Sequence, residues 1–142
     1  MKVARRQSRA DALQILYLMD MNHELATDRA LNYFKQYFAN RTGEDKFCER
    51  LVRGVAEKLR ELDAVLAGIS ENWRTDRMAI VDRNLLRMGT YELGFCDDIP
   101  STVSINEMVE LAKQFGSETS AAFVNGILDQ VKVKLYRPSK AP

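Results

Sequence analysis

Residues 47–66 read FCERLVRGVAEKLRELDAVL and place Phe47, Leu51, Val55, Leu59, Leu62 and Leu66 three or four positions apart. At 3.6 residues per turn that spacing puts all six on one side of an α-helix, and a strand, with its period of two, would scatter them over both faces. The stretch predicts a helix that starts after Thr42, where Gly43 breaks the pattern and Asp45 can answer Thr42 as a capping box. Gly54 within it is read as a point of close helix approach.

The same period extends in both directions. Upstream, Leu13, Leu16, Tyr17 and Asp20, widened by Ile15, Leu18 and Met19, predict a helix over about 4–22. Leu31, Phe34, Tyr37 and Phe38 predict a second over about 28–38, with Thr27 as N-cap. Downstream, Ser70 to Thr75 is a break in which Trp73 plugs a core edge. A fourth helix carries Ile80, Leu85, Leu86, Met88, Tyr91 and Leu93, and Gly94 with Asp97-Asp98-Ile99-Pro100 ends it. A fifth opens on Ser104-Ile-Asn-Glu107 as a capping box and closes at Gly116. A sixth runs over about 120–136 with Phe123, Val124, Ile127, Leu128, Val131 and Leu135 inward and Gly126 at a helix crossing. With no competing strand signal, the fold class is all-α: two packed three-helix subdomains, residues 1–70 with an arginine-rich start and residues 71–142, forming one compact domain.

The chain has 142 residues, 46% hydrophobic and 29% charged. A domain of that size buries roughly two thirds of its unfolded surface and needs no staples. Low-complexity disorder and collagen are excluded, and no apolar run approaches the roughly 18 residues of a membrane span. Asp11, Gln14 and Asp20 interrupt the one stretch that faintly resembles a signal peptide. A soluble, cytoplasmic protein is expected. Cys48 and Cys96 stand far apart, and His23 is the only histidine. Disulfide scaffolds, zinc knuckles and His-based triads are therefore disfavoured. No phosphate-loop, dinucleotide, HExxH or GxSxG pattern occurs, so no cofactor or metal is expected. Glu107 reads as a cap and Glu110 as a solvated helix face rather than as acid–base carboxylates. Met78, Met88 and Met108 read as core filler.

The net charge of +1 hides an asymmetry. Lys2, Arg5, Arg6 and Arg9 give the first nine residues +4, and Lys132, Lys134, Arg137 and Lys140 give residues 130–142 another +4, leaving −7 in the middle. Basic ends on an acidic body suggest a localised anion-binding surface, though solubilising termini have the same composition. Arginines crowded at a helix start oppose the macrodipole, which favours acids there. Arg5, Arg6 and Arg9 occupy roughly a 100° arc, with Gln14 and Tyr17 further along near the same side. Guanidinium forks fit phosphate and stack on bases, and a tyrosine can stack a splayed base. The other reading is a frayed, solvated terminus with surface ion pairs and Tyr17 in the core.

The motifs taken together resemble the NusB family of bacterial transcription antitermination factors. They run from Ala4-Arg5-Arg6-x-x-Arg9-x-x-Ala12-Leu13-Gln14-x-Leu16-Tyr17 through Leu62-Asp63 and Asn72-Trp73. They continue with Asp82-Arg83-x-Leu85-Leu86-Arg87, Ile99-Pro100, Ile105-Asn106-Glu107 and Glu110-Leu111-Ala112-Lys113-x-Phe115-Gly116, and end on Phe123-Val124-Asn125-Gly126-Ile127-Leu128-Asp129. The resemblance spans nearly the whole chain, and the ordered set at this spacing is what makes it specific. It implies the same all-helical fold. It also implies binding to the boxA element of ribosomal RNA leader transcripts together with NusE, a small-subunit ribosomal protein, within the RNA polymerase antitermination complex.

Carried over by position, the resemblance gives Arg5, Arg6 and Arg9, with Lys2 beside them, the phosphate backbone. Gln14 and Tyr17 match positions near the RNA, Phe123 would offer an aromatic face to a base, and Asp82 and Thr119 match positions lining the same surface. Core packing is the other reading of Phe123. Two departures bear on local RNA affinity rather than on the fold: Thr119 stands where some relatives carry an acid, and Ala121 and Ala122 where relatives often carry polar or basic residues. NusE is expected mainly on the second subdomain. Two rivals remain. The helical domain that precedes some ribosomal RNA methyltransferases is disfavoured because no Rossmann segment follows here. A helical protein-interaction module without sequence-specific RNA binding, one form of which would self-associate as a homodimer, is disfavoured by the basic first helix.

Overall fold

The computed structural model describes residues 2–37, 45–71, 73 and 78–140. Every regular element among them is helical, as the periodicity requires, and there are seven. The chain divides into two compact units, Met1–Glu57 and Lys58–Pro142.

The first unit holds α1 (Lys2–Met21), α2 (Thr27–Tyr37) and α3 (Asp45–Glu57), each packed on the other two. Ala12, Leu13, Ile15 and Leu16 of α1 meet a core shared with Ala30, Leu31 and Phe34 of α2 and with Phe47, Leu51, Val52 and Val55 of α3. Arg53 ties α3 to α2: it bonds Glu49 one turn back at 2.9 Å and Asp28 at 2.7 Å. Those two carboxylates, Glu49 first, hold its guanidinium above the ordinary range. Tyr37, read from the sequence as apolar lining, is 62% exposed instead. The Thr42–Asp45 capping box and Phe38 lie outside the described residues.

The second unit holds α4 (Leu59–Ala67), α5 (Ile80–Phe95), α6 (Ser101–Phe115) and α7 (Ser120–Lys134). α5 is its centre, touching the other three helices, with nine of its sixteen residues buried. At Gly89 it passes α7 so closely that a Cβ would stand 2.7 Å from Leu128 Cδ1. Trp73 is buried, with the guanidinium carbons of Arg83 and Arg87 at 6.0 and 5.7 Å from its ring.

Four expectations are corrected. The stripe of residues 47–66 belongs to two helices, α3 and α4, separated at Lys58, whose backbone leaves the helical region at φ −100° and ψ 12°. A one-residue break keeps the apolar period in register, so the spacing cannot reveal it. Leu62 and Leu66 are buried in the second unit, which therefore begins at Lys58 rather than near residue 71. Ser104 is no N-cap. Pro100 caps α6 a turn earlier, and the buried Ser104 hydroxyl donates to Glu92 Oε1 at 2.7 Å. Gly89 stands at a helix crossing, whereas Gly126 is exposed and a Cβ there would meet nothing within 4 Å.

Cys48 and Cys96 are buried and form no disulfide, and Met78, Met88 and Met108 are core residues. Among the described residues no cluster of His, Cys, Asp or Glu could hold a metal, and no helix is long and apolar enough to cross a membrane.

Candidate nucleic-acid interface

Six of the nine candidate residues lie on α1, in the first unit. Lys2 opens the helix. Arg5 is half-buried and Arg6 exposed, whereas Arg9 is only 3% exposed. The reason is Phe47: the guanidinium carbons of Arg5 and Arg9 lie 4.2 and 5.0 Å from its ring centroid. Cations over an aromatic face are attracted by the ring quadrupole, and more strongly where water is excluded. The arginine-rich start is thus a formed helix and not a frayed terminus. One arginine is sunk into it, one rests on the ring beside it, and one faces solvent. Gln7 donates to the buried Asp11 at 2.8 Å, which places a carboxylate within this otherwise cationic turn.

Gln14 is half-buried and Tyr17 is 37% exposed, so Tyr17 is not core. Arg6 and Tyr17 are separated by about 20° around the helix and about 16 Å along it. That is a span of two or three nucleotides, with a phosphate ligand at one end and a stacking face at the other.

The other three lie in the second unit. Asp82 sits in the first turn of α5, where a carboxylate complements the macrodipole. It is 9% exposed, and its Oδ1 has no hydrogen-bond partner among the described residues. A nearly buried acceptor without a donor is costly unless a ligand supplies one, and a base amino group or a ribose hydroxyl could do so. Thr119 precedes α7, exposed, its hydroxyl 3.3 Å from that of Ser117. The turn behind it is pinned by the Ser120 hydroxyl, which accepts the Ser117 N–H at 2.9 Å. Phe123 follows Thr119 by one helical turn and is half-buried, so an edge of its ring is accessible. Gly126 follows Phe123 on the same side and leaves the backbone bare beside the ring.

The second basic cluster has a different use. Arg137 bonds Asp97 and donates to the Leu93 carbonyl at 2.9 Å, and Lys140 Nζ reaches the carbonyls of Glu92 and Cys96 at 2.8 and 2.6 Å. These carbonyls lie at the C-terminal end of α5, where Glu92 also accepts the Cys96 N–H and Cys96 the Ile99 N–H, so the two cations add donors to a helix end that carries negative partial charge. Burial, and then the Arg137 charge, push the Lys140 ammonium below its ordinary value. Two of the four C-terminal cations are thus structural caps, a role that charge counting could not separate from ligand binding. Sequence reasoning also missed Phe47 as the support beneath Arg5 and Arg9, because its place in the apolar stripe already accounted for it.

The chain is similar to known proteins along most of its length. The NusB family model matches residues 6–132. A transcription antitermination protein NusB from Myxococcus xanthus is 47% identical over 139 residues, covering 95% of this chain and 99% of that protein. Its counterpart from Pelotomaculum thermopropionicum is 43% identical over 138 residues, covering 96% and 95%. Among solved structures, T. maritima NusB superposes with a TM-score of 0.80 at 32% identity over 97% of this chain and 93% of that one. A chain in a crystal structure of antitermination factors NusB and NusE with double-stranded RNA shares the fold, with a TM-score of 0.80 at 24% identity over 94% and 99%.

Proposed function

The chain belongs to the NusB family, and we propose that it acts as an RNA-binding transcription antitermination factor, not as a catalyst. The observation that carries this is the match along nearly the whole chain to proteins of that name. The site geometry supports it: Arg6 and Arg5 hold phosphates, with Arg5 resting on the Phe47 ring that also carries the buried Arg9. Lys2 adds to the same charge, and Gln14 and Tyr17 continue the track. Phe123, flanked by Thr119 and the bare backbone at Gly126, takes a base, and Asp82 accepts a hydrogen bond from the RNA.

The RNA is the boxA element of ribosomal RNA leader transcripts, and the protein partner is NusE, the factor seen with RNA in the complex that contains this fold. Together they act on RNA polymerase within the antitermination complex, in the cytoplasm, which supports ribosomal RNA synthesis. The test is transcription through a terminator placed after a boxA leader, in an extract depleted of its own family member. Added chain restores read-through if the proposal holds. Read-through that stays at the depleted level, with NusE present, overturns it.

A further inference from the structure

The outer face of α2 is unused by the site above. Arg29, Asn32, Tyr33, Gln36 and Tyr37 fall within an arc of about 140° at 100° per residue, and all five are exposed. Ala30, Leu31 and Phe34 occupy the opposite side and supply the helix's whole contribution to the core. The two tyrosines therefore add nothing to that core. They lean on each other, ring centroids 4.7 Å apart and 39° from parallel, while remaining 51% and 62% exposed. The arc carries one guanidinium and no carboxylate. Asp28 lies off it, held by Arg53 at 2.7 Å, and Arg29 has no ion-pair partner among the described residues.

We propose that this face is a second contact for single-stranded RNA, in which Tyr33 and Tyr37 stack successive bases, Arg29 holds a phosphate at the N-terminal turn, and Asn32 and Gln36 bond base edges. It rests on the RNA-binding reading above and extends it to the nucleotides that flank the primary element. Charge and chemistry select the occupant. A nonspecific strand needs a cation for its backbone and π-faces for its bases, both of which are present. Tyrosines and an arginine also suit a protein interface, so loss of self-association is the outcome of the test that decides against RNA. From Arg29 to Tyr37 the helix rises about 12 Å, room for two or three nucleotides. The connection over 22–26 is short, so α2 returns alongside α1, which carries Arg6 and Tyr17, within the same unit.

The test is equilibrium binding of labelled RNAs of about 8 and about 20 nucleotides, both containing the primary element, to the full chain and to its variants. The double variant Tyr33→Ala/Tyr37→Ala loses at least about thirtyfold in affinity for the long RNA, about 2 kcal/mol for the two stacked bases, and nothing for the short one. The variant Tyr33→Phe/Tyr37→Phe keeps the long-RNA affinity, because the π-faces remain. Both melt as the parent does, since neither ring is core. Equal affinities of the alanine variant and the parent for the long RNA overturn this contact while leaving the primary site intact. So does an alanine variant that loses self-association instead of RNA. A parent that binds neither RNA overturns the primary reading and this one with it.

Discussion

Arg87 grips Asp63 with two parallel hydrogen bonds, 2.9 and 3.0 Å long, that join α5 to α4 beside the buried Trp73 ring. The pair gives Asp63, Trp73 and Arg87, which stand far apart in the sequence, a common structural place: they form one joint. Both side chains are largely buried, at 13% and 25% exposure. Removing one partner strands the other. Asp63→Ala is expected to lower stability by about 2 kcal/mol, below the 3–5 kcal/mol of fully buried pairs because some water reaches the site. Urea unfolding followed by Trp73 fluorescence measures it, and the tryptophan emission of the folded variant shifts as its neighbour Arg87 loses the Asp63 carboxylate.

Two glycines of helical stretches should respond in opposite directions. Gly89→Ala drives a Cβ to within 2.7 Å of Leu128, itself fully buried, and is expected to cost about 1–3 kcal/mol. Gly126→Ala meets nothing and replaces a poor helix former, so stability rises by up to about 1 kcal/mol. RNA affinity falls in Gly126→Ala if a ligand approaches the bare backbone beside Phe123. Thermal melts together with RNA titrations of the two variants check both halves.

The arginines of α1 should separate by burial. Arg6→Ala is expected to weaken all RNAs alike, to flatten the salt dependence of log K by under about one unit, and to leave the melt unchanged. Arg9→Ala uncovers Phe47 and lowers stability. Phe123→Ala is expected to cost about 1–3 kcal/mol of RNA affinity with little change in salt slope. Its stability loss falls short of the roughly 3–5 kcal/mol of a fully buried Phe.

Arg137 and Lys140 cap α5, so replacing both with alanine lowers stability by about 1 kcal/mol while leaving the salt slope of RNA binding where it was. Lys140 also carries a pH signature. Its ammonium is harder to keep in the folded chain, so the unfolded chain binds that proton more tightly. The penalty is full below the lowered folded value and gone above the ordinary 10.5. Stability of the parent relative to Lys140→Met therefore rises with pH over that window, which denaturant titrations at a series of alkaline pH values can follow.

Much of this was legible from periodicity. The helices, the buried methionines, Trp73 at a core edge and the C-cap at Gly116 all follow from spacing and from residue chemistry near the chain. What escaped depends on partners distant in sequence. The Lys58 break hides because one residue hardly disturbs a 3.6 period. Ser104 looks like a cap until Glu92, twelve residues away, claims its hydroxyl. The arginine cluster reads as one patch, and only the position of Phe47 divides it into a buried and an exposed part. Tyr33 and Tyr37 count as apolar by type, yet the burial of Phe34 and Leu31 turns them outward.

The most direct test of the central claim is fluorescence anisotropy of a labelled boxA RNA against a scrambled RNA, at low and high salt, with and without NusE. Three or four phosphate contacts predict preferential binding whose log K falls with log salt at a slope of about −2 to −3, tightened by NusE. Equal binding of the two RNAs, or none to either with NusE present, would contradict it.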